Sequence, residues 1–85
     1  MADEMGQIWR NITIRKAEYL REFANGRTER EAAAALGVTF EGARSAVEDL
    51  KSTTGCGSVR DLGRFWRERR DAWLEFCAVA GGIGT

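Results

Sequence analysis

The chain has 85 residues, with thirteen basic and thirteen acidic side chains for a formal net charge of zero, and it contains neither histidine nor proline. That length allows one small domain, which buries only about 60% of its unfolded surface and gains from any further burial that pairing supplies. Without histidine, and with Cys56 and Cys77 far from a CxxC spacing, the chain lacks the ligands for a zinc site and the base for a Cys/His catalytic pair. There is no plausible nucleophile–base pair and no glycine-rich phosphate loop after a strand, so neither an enzyme nor a cofactor or metal is expected. No apolar run reaches the length of a membrane span and no charged-then-apolar leader opens the chain. The expectation is a cytoplasmic protein with reduced thiols and no membrane partner.

Residues 1–11, MADEMGQIWRN, set Met5, Ile8 and Trp9 among polar residues. They read as a loosely ordered N-terminal arm whose Ile8 and Trp9 pack back on the domain. Thr13 is placed to cap a first helix over 13–25, in which Ala17, Leu20, Phe23 and Ala24 form one stripe with Tyr19 beside it. Asn25-Gly26 ends that helix. Thr28-Glu29-Arg30-Glu31 then has the form of a capping box, in which the Thr hydroxyl accepts the third N–H and the Glu bonds back to the Thr N–H. The alanine run from Ala32 to Ala35 has high helix propensity, and Gly37 tolerates the left-handed conformation past a helix end.

Thr39 can cap the next helix, over 40–53, where Phe40, Ala43, Ala46 or Val47, and Leu50 fall on one buried face. Glu41, Gly42, Arg44, Ser45, Glu48, Asp49, Lys51 and Ser52 are left outward. Ala32, Ala33 and Gly37 are small enough for the two helices to approach closely across a short turn.

Thr53 to Gly57 is a turn, and Ser58 can cap a last helix over 59–79. Val59, Leu62, Trp66, Trp73, Phe76 and Ala80 follow steps of three and four if Arg69 is allowed in the middle, and Phe65, Leu74 and Cys77 widen the stripe. A domain of this size is not expected to cover so many aromatic groups from one side. Exposed apolar area on that scale marks a partner surface, which predicts a homodimer with paired last helices meeting through Leu62, Trp66, Trp73, Phe76 and Cys77. The other reading folds the helix back on its own domain. Arg64, Arg67, Arg69 and Arg70 either flank DNA, pair with Glu68, Asp71 and Glu75, or do both. Residues 81–85 are expected to form a flexible tail.

Three stretches carry a resemblance: Ile12-Thr13-Ile14-Arg15 with Glu18; Gly26-x-Thr28-x-Arg30-Glu31-x-Ala33-x-x-Leu36-Gly37-Val38-Thr39; and Arg44, Val47 and Gly55. Together, over about residues 12–62, they resemble the LuxR/GerE-type helix-turn-helix, and are similar to the related region four of bacterial sigma factors. Lys16 stands where that family usually has Glu, Gly42-Ala43 replace a Thr-Val pair, Ala46 replaces a common His, and Thr54 replaces a Leu. The resemblance implies an all-α domain of about four helices. A helix-turn-helix would occupy 12–57 and a long C-terminal dimerisation helix 58–80, with the helix after Thr39 reading DNA.

It also implies a set of DNA contacts: Thr28, Arg30, Thr39, Glu41, Arg44, Ser45, Lys51 and Ser52. Thr28 and Arg30 sit where the family often touches phosphates, although Arg30 also reads as a solvated charge. Arg44 can take a guanine bidentately and Glu41 can accept from a cytosine amino group, with Ser45 alongside. Lys51 and Ser52 can clamp the backbone. Phe40 is either a core residue or a contact to a thymine methyl.

Two functions remain open. One is a sequence-specific transcriptional regulator, of the stand-alone kind that phages and mobile elements encode, binding double-stranded DNA as a homodimer through the major groove. The other is a protein-interaction module of the same fold that binds a transcription-machinery or regulator protein. The second fits the zero net charge and a reading segment, 39–57, with one more acid than base. A basic face holding Arg30, Arg44 and Lys51 favours DNA; an interrupted one favours the protein partner.

Overall fold

The computed structural model describes residues 4–79, and the elements among them are all helices: α1 (Glu4–Arg10), α2 (Ile14–Ala24), α3 (Glu29–Leu36), α4 (Phe40–Thr54) and α5 (Val59–Val79). Ala80 of the last-helix stripe and the tail 81–85 lie outside the described residues.

The helix boundaries follow from local chemistry. Thr13 Oγ1 accepts from the Lys16 N–H at 3.2 Å and opens α2 without a glutamate to close the box. Both halves of the capping box at α3 are made: Glu31 N–H to Thr28 Oγ1 at 3.1 Å, and Thr28 N–H to Glu31 Oε1 at 2.9 Å. At the other end of α3, Gly37 takes φ 70°. Val38 N–H then reaches Ala33 O at 3.0 Å and Gly37 N–H reaches Ala34 O at 3.3 Å, the paired bonds of a Schellman ending. Thr39 Oγ1 accepts from Gly42 N–H at 3.0 Å to open α4, and Ser58 Oγ accepts from Asp61 N–H at 3.1 Å to open α5.

The arm is the first correction. Residues from Glu4 to Arg10 are helical, which makes five helices where about four were expected. Two turns of helix are marginal alone, so α1 depends on burial. Trp9 supplies it, being 5% exposed with its ring 5.8 Å from that of Phe65.

The last helix is the second correction. It lies along α2 as part of a single hydrophobic core. Leu62, Trp66 and Trp73 are 0%, 4% and 7% exposed within one chain, so they are not free to meet a second copy. Phe76 and Cys77 are half-buried against the same core. A single chain supplies the burial that these aromatic groups need. Helix α2, with α1 and the segment between them, covers the aromatic stripe, and Trp73 Nε1–H donates to the Ile12 carbonyl at 3.1 Å.

Helices α2 and α5 come together at Gly63. A Cβ built there would stand 2.6 Å from Phe23 O and 2.9 Å from Phe23 C, so the site admits only a residue without a side chain. Among the described residues no polar or charged residue is buried, and no helix is long and apolar enough to cross a membrane.

Candidate nucleic-acid interface

Helix α4 is fixed by one face. Ala43, Val47 and Leu50, spaced by four and three residues, are each fully buried. The helical repeat then turns Glu41, Arg44, Ser45, Glu48, Asp49 and Ser52 outward, and all six are exposed. Nothing in the described chain covers Arg44 or Ser45. The cap Thr39 is also exposed, at the junction with α3.

Phe40 organises the first turn. It is half-buried, with the Arg30 guanidinium 4.3 Å from its ring centroid and that of Arg44 at 6.0 Å. One aromatic ring thus gathers a cation from α3 and a cation from α4. An arginine stacked on a ring keeps its N–H edge free for a planar acceptor. With Arg30 over its ring, Phe40 supports that pair and does not stand out as a free apolar reader. Thr28, the N-cap two residues before Arg30, is exposed at the start of α3.

Lys51 and Ser52 are separate from this cluster. Lys51 lies two turns beyond Arg44 on the same edge, roughly 10 Å along the axis. It is half-buried, and its Nζ is 3.6 Å from Glu48 Oε2. Ser52 sits by a shallow depression shared with Gln7, Ile8 and Asn11, on the α1 side of the molecule. The basic side chains are therefore interrupted: Arg30 and Arg44 share the Phe40 ring, Lys51 lies apart and is engaged by Glu48, and Glu41, Glu48 and Asp49 make the outer ridge acidic.

The structure also gathers a group of residues that sequence reasoning did not join. A cavity of about 780 Å³ opens where α2 ends and where α3, α4 and α5 begin. Phe23, Phe40 and Val59 give it an apolar lining, and Arg27, Arg30, Arg60 and Arg67 stand around it with Glu29 as the one acid. Nothing in the sequence places the first turns of α5 beside the first turn of α3; that neighbourhood exists only after packing. Among the described residues there is no cluster of His, Cys, Asp and Glu able to hold a metal ion.

Comparison with protein-family models, curated proteins and solved structures finds no match to this chain.

Proposed function

We propose that the protein is a sequence-specific, DNA-binding regulator that lays the first two turns of α4 in the major groove. The observation that carries this reading is the uncovered polar start of α4, with Arg44, Ser45 and Glu41 exposed and Arg30 of α3 stacked on the same Phe40 ring as Arg44. Arg44 and Glu41 have the chemistry to read a guanine and a cytosine amino group. Arg30, with the Thr28 hydroxyl and the start of α3, has the chemistry to hold a phosphate. The small-residue joint of Ala32, Ala33 and Gly37 and the LuxR-like run from Gly26 to Thr39 support the same reading. The acidic ridge of Glu41, Glu48 and Asp49, with Glu48 on Lys51, limits phosphate contact to the side that bears Arg30 and Arg44.

Pairing of two copies remains part of the proposal, but its surface moves. Ile14 and Leu74 are 52% and 51% exposed and share a depression on the outer side of α2 and α5. That edge is what a second copy is proposed to cover, and a DNA-binding dimer of this kind would meet half-sites about one turn of DNA apart. Sedimentation at micromolar concentration should give a dimer that Leu74→Glu converts to a folded monomer.

A gel shift on the DNA upstream of the protein's own coding sequence, with salt varied, tests the main reading. Binding should be sequence-selective and fall steeply with salt. Arg44→Ala should cost about 1–3 kcal/mol at one base pair and relax selectivity there. Binding that is unselective, or an Arg44→Ala protein with unchanged selectivity, removes α4 from the reading role.

A further inference from the structure

We propose that the arginine-rimmed cavity at the meeting of α2, α3, α4 and α5 is a docking site for an acidic peptide segment of another protein, anchored by one large apolar side chain. Two features select this occupant. The first is charge. The chain as a whole is neutral, yet four arginines, Arg27, Arg30, Arg60 and Arg67, line this one cavity with Glu29 the one acid in the lining and Glu22 engaged by Arg27.

The arginines differ in how far they are already engaged. Arg27 Nε is 2.8 Å from Glu22 Oε1, and Arg67 donates to the Ala24 carbonyl at 2.9 Å. Arg30 lies over Phe40 with its edge open. Arg60 is exposed, and its guanidinium has no ion-pair partner among the described residues. Arg30 and Arg60 are therefore the two ready to take carboxylates from a partner.

The second feature is the apolar lining. Phe23, Phe40 and Val59 belong to three different helices and converge on the cavity. A volume of about 780 Å³ lies in the range of concave sites that seat an apolar group with a few polar fixings. A DNA backbone would use the arginines and leave the half-exposed sides of Phe40 and Val59, above buried Phe23, uncovered. An acidic segment with a buried aromatic or aliphatic side chain uses both.

Docking does not depend on the DNA reading. One consequence does rest on it: Thr28 and Arg30 line this cavity and also serve the proposed phosphate contact, so the acidic segment and DNA would exclude each other. The site is then a place where a partner can release the protein from its operator.

The test uses the full chain and three labelled, end-capped peptides, followed by fluorescence anisotropy without DNA. The first is Asp-Glu-Asp-Phe-Leu-Asp-Glu-Asp. The second replaces Phe-Leu by Ser-Ser, and the third replaces each acid by its amide. The first should bind, with the other two weaker by about tenfold or more, the loss of one good contact. Arg60→Glu should lose at least that much while its melting curve stays that of the wild type, and Arg60→Lys should recover part of the binding. Equal binding of the first two peptides, no binding by the first, or full binding by Arg60→Glu overturns the proposal. So does the outcome in which Arg27→Gln and Arg60→Gln leave peptide binding unchanged but each lower the salt dependence of duplex DNA binding by about one phosphate; the rim would then belong to DNA. Peptide binding with no DNA binding would instead keep the docking site and discard the reading role of α4.

Discussion

At the junction of α3 and α4 the buried groups are small, Ala32 and Ala33 of α3 and Ala43 of α4, while Val47 and Leu50 lie further along α4 in the common core. Between α2 and α5 the groups are large. Tyr19, Leu20 and Phe23 on one helix share a core with Phe65, Trp66 and Trp73 on the other, and where α5 meets the Phe23 backbone the side chain is absent, at Gly63. The first pair is positioned chiefly by its ends: two threonine caps, a closed capping box and a left-handed glycine. The second is positioned by fit, ring against ring and helix backbone against Gly63. Local hydrogen bonds can place a helix-turn-helix and leave its outer face free, whereas the support beneath it must be made by tertiary burial. Substitutions that act on one pair should therefore differ in size and in reach from those that act on the other.

The largest effect is expected at Trp73. Its ring packs 5.5 Å from that of Trp66, and its indole N–H ties α5 to the Ile12 carbonyl. Trp73→Ala should cost about 3–5 kcal/mol in urea unfolding. A domain of this kind has about 5–15 kcal/mol in all, so the variant should be close to unfolded. Trp73→Phe keeps most of the packing and should cost about 1–3 kcal/mol, the size of an unmet buried hydrogen bond. Trp66 gives the control: its Nε1 is buried with no partner among the described residues, so Trp66→Phe removes an unsatisfied donor and should be much milder than Trp73→Phe. Equal losses for the two Phe variants would show that the Trp73–Ile12 bond contributes little.

Gly63→Ala comes next. In an open helix this change would add stability of about 1 kcal/mol. Here the new Cβ meets the Phe23 carbonyl of α2, which is backbone and cannot swing away. The expected result is a loss of about 1–3 kcal/mol. A gain in thermal stability would mean that α2 and α5 do not approach this closely.

These two sites also show where the sequence was readable. Every cap expected from a hydroxyl residue is present, at Thr13, Thr28, Thr39 and Ser58, because each bond spans three residues and needs nothing from the rest of the fold. The buried face of α4 was legible for the same reason of short spacing. Gly63 was not, since its role is set by Phe23, forty residues earlier, and a glycine inside a helical stripe carries no local mark of what it faces. The partner of the aromatic stripe was misjudged on similar grounds. Trp9 was expected to pack back, but the arm was not expected to fold as a helix, and the acceptor for Trp73 is sixty-one residues away. At the candidate site, the exposure of Arg44 and Ser45 could be read from periodicity. The meeting of Arg30 with Phe40, and of Arg60 with Arg27, could not.

Thr28→Ala acts on the other pair and should be smaller. It removes the oxygen that accepts the Glu31 N–H and leaves the Glu31 side chain with half a capping box. The expected cost is about 1 kcal/mol. The loss should be local: hydrogen exchange should speed up at the start of α3 before it changes in α5. Faster exchange across α5 at the same time would contradict the separation of the two pairs.

Gly42→Ala should have the smallest effect on stability and is the most informative about α4. Gly42 is exposed in the first turn of the helix, where Ala would normally add about 1 kcal/mol. The new Cβ would lie 3.1 Å from Thr39 Oγ1, the oxygen that caps the helix. That neighbour is the end of a rotatable side chain, so it can shift by a few tenths of an ångström and still accept the Gly42 N–H. The net expectation is a small gain, under about 1 kcal/mol, seen as a rise in melting temperature. Glycine at the start of a groove-facing helix also lets a nucleic acid backbone come close. The two readouts should therefore move apart in Gly42→Ala, with stability rising and operator affinity falling. A variant that gains stability and binds DNA as before would show that the first turn of α4 does not approach the duplex at this position, and would leave Arg44 and Ser45 to carry the contact from further along the helix.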